Sequence, residues 1–114
     1  MSKTPPRLFR FADLTFDKVP DIEGTFAVAE ISNANLGSDL GTGFARFTGV
    51  RFSWTTSYDE VVTVLDGELR LHIGGEVFVL KPRDTMWVSK GTSLDYEADS
   101  ALTFYAIYPS NWQG

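Results

Sequence analysis

Apolar and polar positions alternate most plainly in the second half of the chain. In Glu68-Leu69-Arg70-Leu71-His72-Ile73 the leucines and the isoleucine share one face, and Glu68, Arg70 and His72 share the other. A period of two marks a half-buried β-strand, because successive side chains of an extended chain point to opposite sides. Turn-forming residues punctuate this pattern at Asp66-Gly67, Gly74-Gly75, Pro82-Arg83-Asp84, Lys90-Gly91-Thr92 and Ala98-Asp99-Ser100. Asp-Gly and Gly-Gly both tolerate positive φ, so the first two pairs are each expected to close a two-residue hairpin. Upstream, Phe9, Phe11, Phe16, Phe26, Val28 and Ile31 predict two or three strands, and the polar stretch from Asn33 to Thr42 predicts a loop. Between Gly43 and Thr55 the apolar phase shifts at Thr48-Gly49, from Ala45 and Phe47 to Val50, Phe52 and Trp54. A glycine at a phase change marks a bulge or a tight bend. No stretch predicts a helix of more than about two turns. The reading is one all-β domain of about ten short strands.

Composition narrows the chemistry. The chain has 114 residues, one histidine and no cysteine, with 10 basic and 15 acidic side chains and a formal net charge of −5. Disulfides, thiolate metal sites and clusters of several imidazoles are therefore excluded within one chain. The acidic balance argues against nucleic acid as a partner, since phosphate backbones need clustered Lys and Arg. No run of about 18 apolar residues exists to form a membrane-spanning helix. Met1 to Pro6 leads into no long apolar segment, so a secretory signal is not expected, and a cytoplasmic location is.

Glu60 stands out because it precedes the apolar strand Val61-Val62-Thr63-Val64-Leu65. Pointing inward, its carboxylate is costly to desolvate unless it is paired or protonated. A buried carboxyl with a raised pKa is suited to proton transfer near neutral pH, although the same environment arises in purely structural networks. Trp54, Thr56 and Tyr58 share parity with Glu60, up to the intervening turn. Their rings and hydroxyls are positioned to line a pocket, with Thr56 and Tyr58 orienting a ligand; the competing reading of Trp54 is plain space filling. Tyr96 and Tyr105 lie on late strands as candidate ligand-binding residues whose faces alternation does not assign. His72 falls on the polar side of its strand, a surface or interface position, and a lone imidazole rarely makes a metal site. Asp59 has the opposite parity to Glu60 and is expected on a solvated face or at a subunit contact rather than in catalysis.

Specific motifs emerge from Gly49 to Gly67. Glu60, six residues and Gly67 resemble the end of the first motif of the cupins, small β-barrels whose metal is held by three histidines and a glutamate. By this resemblance Trp54, Thr56 and Leu94 occupy the histidine positions, and only Glu60 of the four ligands remains. Trp54-Thr55, Tyr58-Asp59-Glu60, Val64-Leu65-Asp66-Gly67-Glu68-Leu69, Ser89-Lys90-Gly91-Thr92 and Tyr105-Ala106-Ile107-Tyr108-Pro109-Ser110-Asn111-Trp112 together resemble the cupin domain of the ethanolamine-utilisation EutQ family. The resemblance implies a single RmlC-like jelly-roll barrel of two antiparallel sheets, residues 43–114 forming the cupin core and residues 1–42 completing it with N-terminal strands and a loop. It also places Lys90 near the barrel mouth, where its charge would attract an anion; the alternative is a solvated turn.

The expected function is a site with no cofactor and no metal, binding or transforming a small polar or carboxylate-bearing metabolite around Glu60, with Tyr58 and Thr56 as its partners and Trp54, Tyr96, Tyr105 and Lys90 around the ligand. Acetate kinase activity is attributed to the EutQ family, but this chain has no Gly-x-x-x-x-Gly-Lys phosphate loop. A non-enzymatic binding or assembly module is the alternative, and a metal-dependent cupin enzyme a minor one. Trp112, close to the chain end, and the outward Val61, Thr63 and Leu65 predict a homodimer.

Overall fold

The computed structural model describes residues 4–111. Among them are seven strands: β1 (Asp17–Lys18), β2 (Thr25–Ser32), β3 (Gly41–Thr55), β4 (Asp59–Ile73), β5 (Glu76–Leu80), β6 (Thr85–Val88) and β7 (Ser93–Tyr108). All pairings are antiparallel. Two single turns of 3-10 helix, Phe11–Asp13 and Ala34–Leu36, are the only helical pieces among the described residues.

Three strands are far longer than alternation predicts because they pass through a corner. β7 is flanked by β3 and β4 along nearly its whole length. Its second half pairs with the first halves of β3 and β4, and this wing is extended by β2 and β1 on one side and β6 on the other. Its first half pairs with the second halves of β3 and β4, with β5 added at the edge. The two wings fold over one another as the two sheets of an all-β jelly roll, the architecture that the resemblance implies.

The corner corrects two expectations. Asp66-Gly67 is not a hairpin, and Ala98-Asp99-Ser100 is not a turn: both lie inside continuous strands. The β4–β7 register slips between Val64 and Asp66 and back between Glu68 and Arg70, so each strand carries one bulge. Gly67 sits there at φ +77°, and a Cβ on it would lie 2.1 Å from the carbonyl oxygen of Ser100. An Asp-Gly pair meets the same backbone demand in a bulge as in a hairpin, which is why the sequence signal is ambiguous. The bulge also moves the buried face from Val62 and Val64 to Leu69 and Leu71. The phase change at Gly49, φ +58°, makes the matching bend in β3, as its sequence predicts. Gly74-Gly75 is the expected hairpin turn between β4 and β5.

The core fills the space between the wings with Phe47, Val62, Val64, Leu69, Leu71 and Leu94, all below 5% exposed. Outside the first wing a second layer forms. Phe11 packs edge-on against Phe44 at 5.2 Å, Phe44 against Phe104 at 5.1 Å, and the Arg46 guanidinium lies 4.7 Å from the Phe16 ring centre. Phe11 and Phe16 thus cover a sheet rather than forming strands, and Phe9 also lies outside the strands. That cover explains why Ala27 and Ala29 are buried although they share the outer face with Arg46 and Phe44. Trp112 lies outside the described residues.

Gly67→Ala is expected to cost about 3 kcal/mol or more, because it combines positive φ with a backbone clash. Gly74→Ala, with open space around the added methyl, should cost only about 1–2 kcal/mol. Urea unfolding of the two variants tests the contrast.

Candidate functional site

The first half of β4 carries Glu60 between Val88 of β6 and Ile107 of β7. Its even-numbered side chains face the interior, so Glu60 is only 7% exposed. The Tyr96 hydroxyl donates to Glu60 Oε1 at 2.8 Å. Among the described residues no Lys, Arg or His nitrogen lies within salt-bridge distance of it. Burial in this apolar surrounding pushes the Glu60 carboxyl up from its ordinary value, and the Tyr96 hydrogen bond opposes the shift only in part.

Phenols surround the carboxyl. Tyr58, in the β3–β4 connection, is buried and pushed up to about 12, first by desolvation and then by the Glu60 charge. Its hydroxyl accepts the Trp54 indole N–H at 2.9 Å. Tyr96 is raised chiefly by burial and further by Glu60 and Tyr58. Tyr105 is raised by burial first, then by Glu30 and Glu60. Alternation left the faces of Tyr96 and Tyr105 open, and the structure points both inward. Tyr105 reaches over Gly43 of β3, where a Cβ would come within 2.7 Å of its hydroxyl oxygen. A stack of Phe52 on Tyr96, 5.3 Å between ring centres, and of Phe47 on Phe52, 6.3 Å, forms the floor below.

The other expected site residues divide. Thr56 is buried, but its hydroxyl donates to the Ser89 carbonyl at 2.9 Å and accepts the Thr92 N–H at 3.1 Å. It laces the β3–β4 connection to the β6–β7 turn and so positions Tyr58. Trp54 is 39% exposed at the rim and does not fill the interior. Lys90 is exposed; its backbone N–H is held by Asp59 Oδ1 at 2.9 Å, and its ammonium makes no salt bridge among the described residues. Asp59 is thereby a turn anchor rather than a purely solvated side chain. Glu30 on β2 and Phe52 were missed. Glu30 is the one charged residue of an otherwise apolar-rich strand, Thr25–Ser32, which is the signal that marks it.

The residues at the cupin ligand positions do not fit a metal. Leu94 offers no donor atom, the Trp54 indole nitrogen is a donor only, and the Thr56 hydroxyl is spent on backbone partners. Among the described residues no group of three His, Asp or Glu converges on one point.

The second wing presents a charged outer face. His72 Nε2 meets Glu97 Oε1 at 2.7 Å, and Arg70 Nε meets the same oxygen at 3.1 Å. These bonds hold the Glu97 carboxyl down at about 2. Arg51 and Ser53 both bond Asp95. His72 thus lies on the polar face that its strand predicts. An open groove of about 690 Å³ crosses this face, lined by Arg51, Ser53, His72, Glu76 and Asp95 and bordered by Trp54. Glu60 is not among its lining residues.

A carboxyl whose pKa is raised by folding destabilises the native state as pH climbs, because the unfolded chain releases its proton first. The native protein is therefore expected to lose stability from about pH 4.5 up through the folded-state pKa of Glu60, then level off. Glu60→Gln should lack that decline, so its stability relative to the native protein should grow across the same window. Denaturant unfolding at half-unit pH steps measures both curves.

Comparisons with known proteins agree with this geometry. The family model described as ethanolamine utilisation protein EutQ matches residues 21–114. The protein named acetate kinase EutQ from Escherichia coli (strain K12) is 37% identical over 87 residues, which is 75% of this chain and 37% of that protein. The chain thus spans little more than a third of that relative's length. A crystal structure of a putative ethanolamine utilization protein Q from Salmonella typhimurium LT2 superposes with a TM-score of 0.85 at 27% identity, covering 91% of this chain and 86% of that one. An RmlC-like cupin from Shewanella frigidimarina shares the fold at a TM-score of 0.75 and 15% identity, covering 95% of each chain. A family match across most of the chain, joined to a jelly roll with one surviving glutamate at its ligand positions, places this protein in the EutQ family of cupins.

Proposed function

We propose that the domain holds a metal-independent site that binds a small polar or carboxylate-bearing metabolite at the barrel mouth around Glu60. The observation that carries this reading is a nearly buried carboxyl that accepts the Tyr96 hydroxyl and makes no salt bridge among the described residues. Burial of this kind favours the protonated carboxyl over its charged form, and a protonated carboxyl can donate a hydrogen bond or a proton. Tyr58 and Tyr96 orient the ligand, Trp54 and Tyr105 border it, and Thr56 keeps the Tyr58 segment in place. Curated relatives carry the name acetate kinase, and acetate belongs to the ligand class proposed. The reading assigns this chain the acid-binding part only.

A ligand at a hundredfold excess over Kd stabilises the native state by ~2.7 kcal/mol, which corresponds to a Tm rise of roughly 10 °C for a domain of this size. Screening acetate and related small acids and amides by thermal shift should give such a rise with the native protein and none with Glu60→Ala. Equal stabilisation of both would make Glu60 a bystander.

A second reading, an assembly role, has its own support. The outer face of the first wing is covered over β2 and β3 but bare over β4 and β6. There Val61, Leu65, Trp87 and Tyr108 are 39–59% exposed. Val61 lies directly opposite Trp87, and the Thr63 and Thr85 hydroxyls bond each other at 2.8 Å, so the middle of this strip is uncharged, with Asp59 beside Tyr108 at its end. A second copy of the chain, related by a two-fold axis, is the proposed partner. Light scattering should give twice the 12.7 kDa chain mass, and Trp87→Asp should reduce it to one chain. A native protein that stays monomeric at high concentration would remove this reading.

A further inference from the structure

β5 is the outer strand of the second wing, and among the described residues it pairs with β4 alone. Its hydrogen-bonding phase follows from the turn that begins it. Gly74 and Gly75, both at positive φ, join the opposed residues Ile73 and Glu76. A two-residue hairpin of this kind closes on a hydrogen-bonded pair, and bonded and non-bonded pairs alternate from there. Glu76, Phe78 and Leu80 therefore bond to β4, while the backbone N–H and C=O of Val77 and Val79 point to the open edge. The next outward groups are already taken. The Lys81 N–H donates to Asp84 Oδ2 at 2.9 Å, and the Lys81 carbonyl accepts the Asp84 N–H at 2.9 Å. The four backbone groups of Val77 and Val79 have no hydrogen-bond partner among the described residues. Their side chains are 51% and 47% exposed, and neither proline nor bulge interrupts the strand. An edge of β-branched residues without those devices is a template for another strand.

This edge is complementary to itself. Two copies paired antiparallel about a two-fold axis at Phe78 set Val77 opposite the partner's Val79, and the reverse, using all four groups of each chain. Sliding one copy by two residues would call on Gly75 of the turn or on the committed groups of Lys81. Two β-branched pairs then meet across the junction. The ends carry opposite charges, Glu76 at one and Lys81 just past the other. Antiparallel copies bring each acid to the end that holds the partner's Lys81, whereas parallel copies would bring like charges together. We propose that β5 is a self-association edge, through which the second wings of two copies join into one continuous sheet. The contact lies on the other wing from the strip over β4 and β6 and depends on neither reading above. Five residues make a small interface, so it is weaker than a face contact and forms at higher concentration.

Sedimentation velocity of the full chain carrying Trp87→Asp, which removes the face contact, tests this. One chain should pass to two as protein concentration rises, and amide exchange at Val77 and Val79 should slow over the same range while Phe78, bonded within the chain, stays protected throughout. Val79→Pro removes an outward N–H that β4 does not use and should abolish the two-chain species. Glu76→Lys or Lys81→Glu, each added alone, should weaken association about tenfold at low salt, because two attractive contacts become repulsive. An equal mixture of those two variants should recover it, since each offers the charges the other lacks. A Trp87→Asp protein that stays one chain at every concentration would overturn the proposal. So would association that Val79→Pro and both charge reversals leave unchanged, or a mixture that associates no better than its components.

Discussion

The structure depends on the close approach of two backbones at the corner, where Gly67 of β4 lies against the carbonyl of Ser100 in β7. Only a residue without a side chain allows that approach, and only positive φ turns the strand in the required direction. Because β3, β4 and β7 bend together there, the same strands supply both sheets. The wings then face each other across one core. Each long strand also changes its buried parity at the bend, which lets one apolar core continue from wing to wing.

Glu60 takes its character from that enclosure. On an isolated strand it would be an ordinary solvated carboxylate. Closed between Val88, Ile107 and the phenols, it becomes a group whose charge is expensive. Tyr96 reaches it from the other wing, so its hydrogen bond is a direct product of the bend. The polar lacing of the rim has a different task. Asp59 and Thr56 bind the β6–β7 turn through its backbone, and this fixes Tyr58 beside Glu60 without placing another charge in the interior. The outer face of the second wing puts its charges in a row of ion pairs instead, where water shares the cost of keeping them.

The position of the missing metal ligands follows from the same architecture. A cupin needs several imidazoles converging on one inner point. This chain places there a leucine, an indole rim and a hydroxyl committed to backbone. What survives is a single carboxyl, and its chemistry is set by desolvation rather than by coordination.

Much of this was legible from the chain. The polar face of His72, the bend at Gly49 and the Gly74-Gly75 hairpin all follow from period-two alternation and backbone permissiveness, which are local properties; the direction of Glu60, ahead of a continuous apolar run, does not. Motif spacing carried the family. The corner at Asp66-Gly67 was not legible, because a bulge and a hairpin ask the same residues for the same φ, and only the partner strand distinguishes them. The faces of Tyr96 and Tyr105 were hidden for a related reason: the phase of β7 resets between Ala98 and Ala101, so parity counted from either end misleads. Trp54 and Thr56 look alike by parity, yet one sits half-exposed on the rim and the other is buried with its hydroxyl spent. The sequence by itself determined which residues alternate inward and which backbone positions can bend. Tertiary structure alone decided which inward residues meet, because contacts between strands distant in the chain depend on register, and register is a property of the assembled sheet.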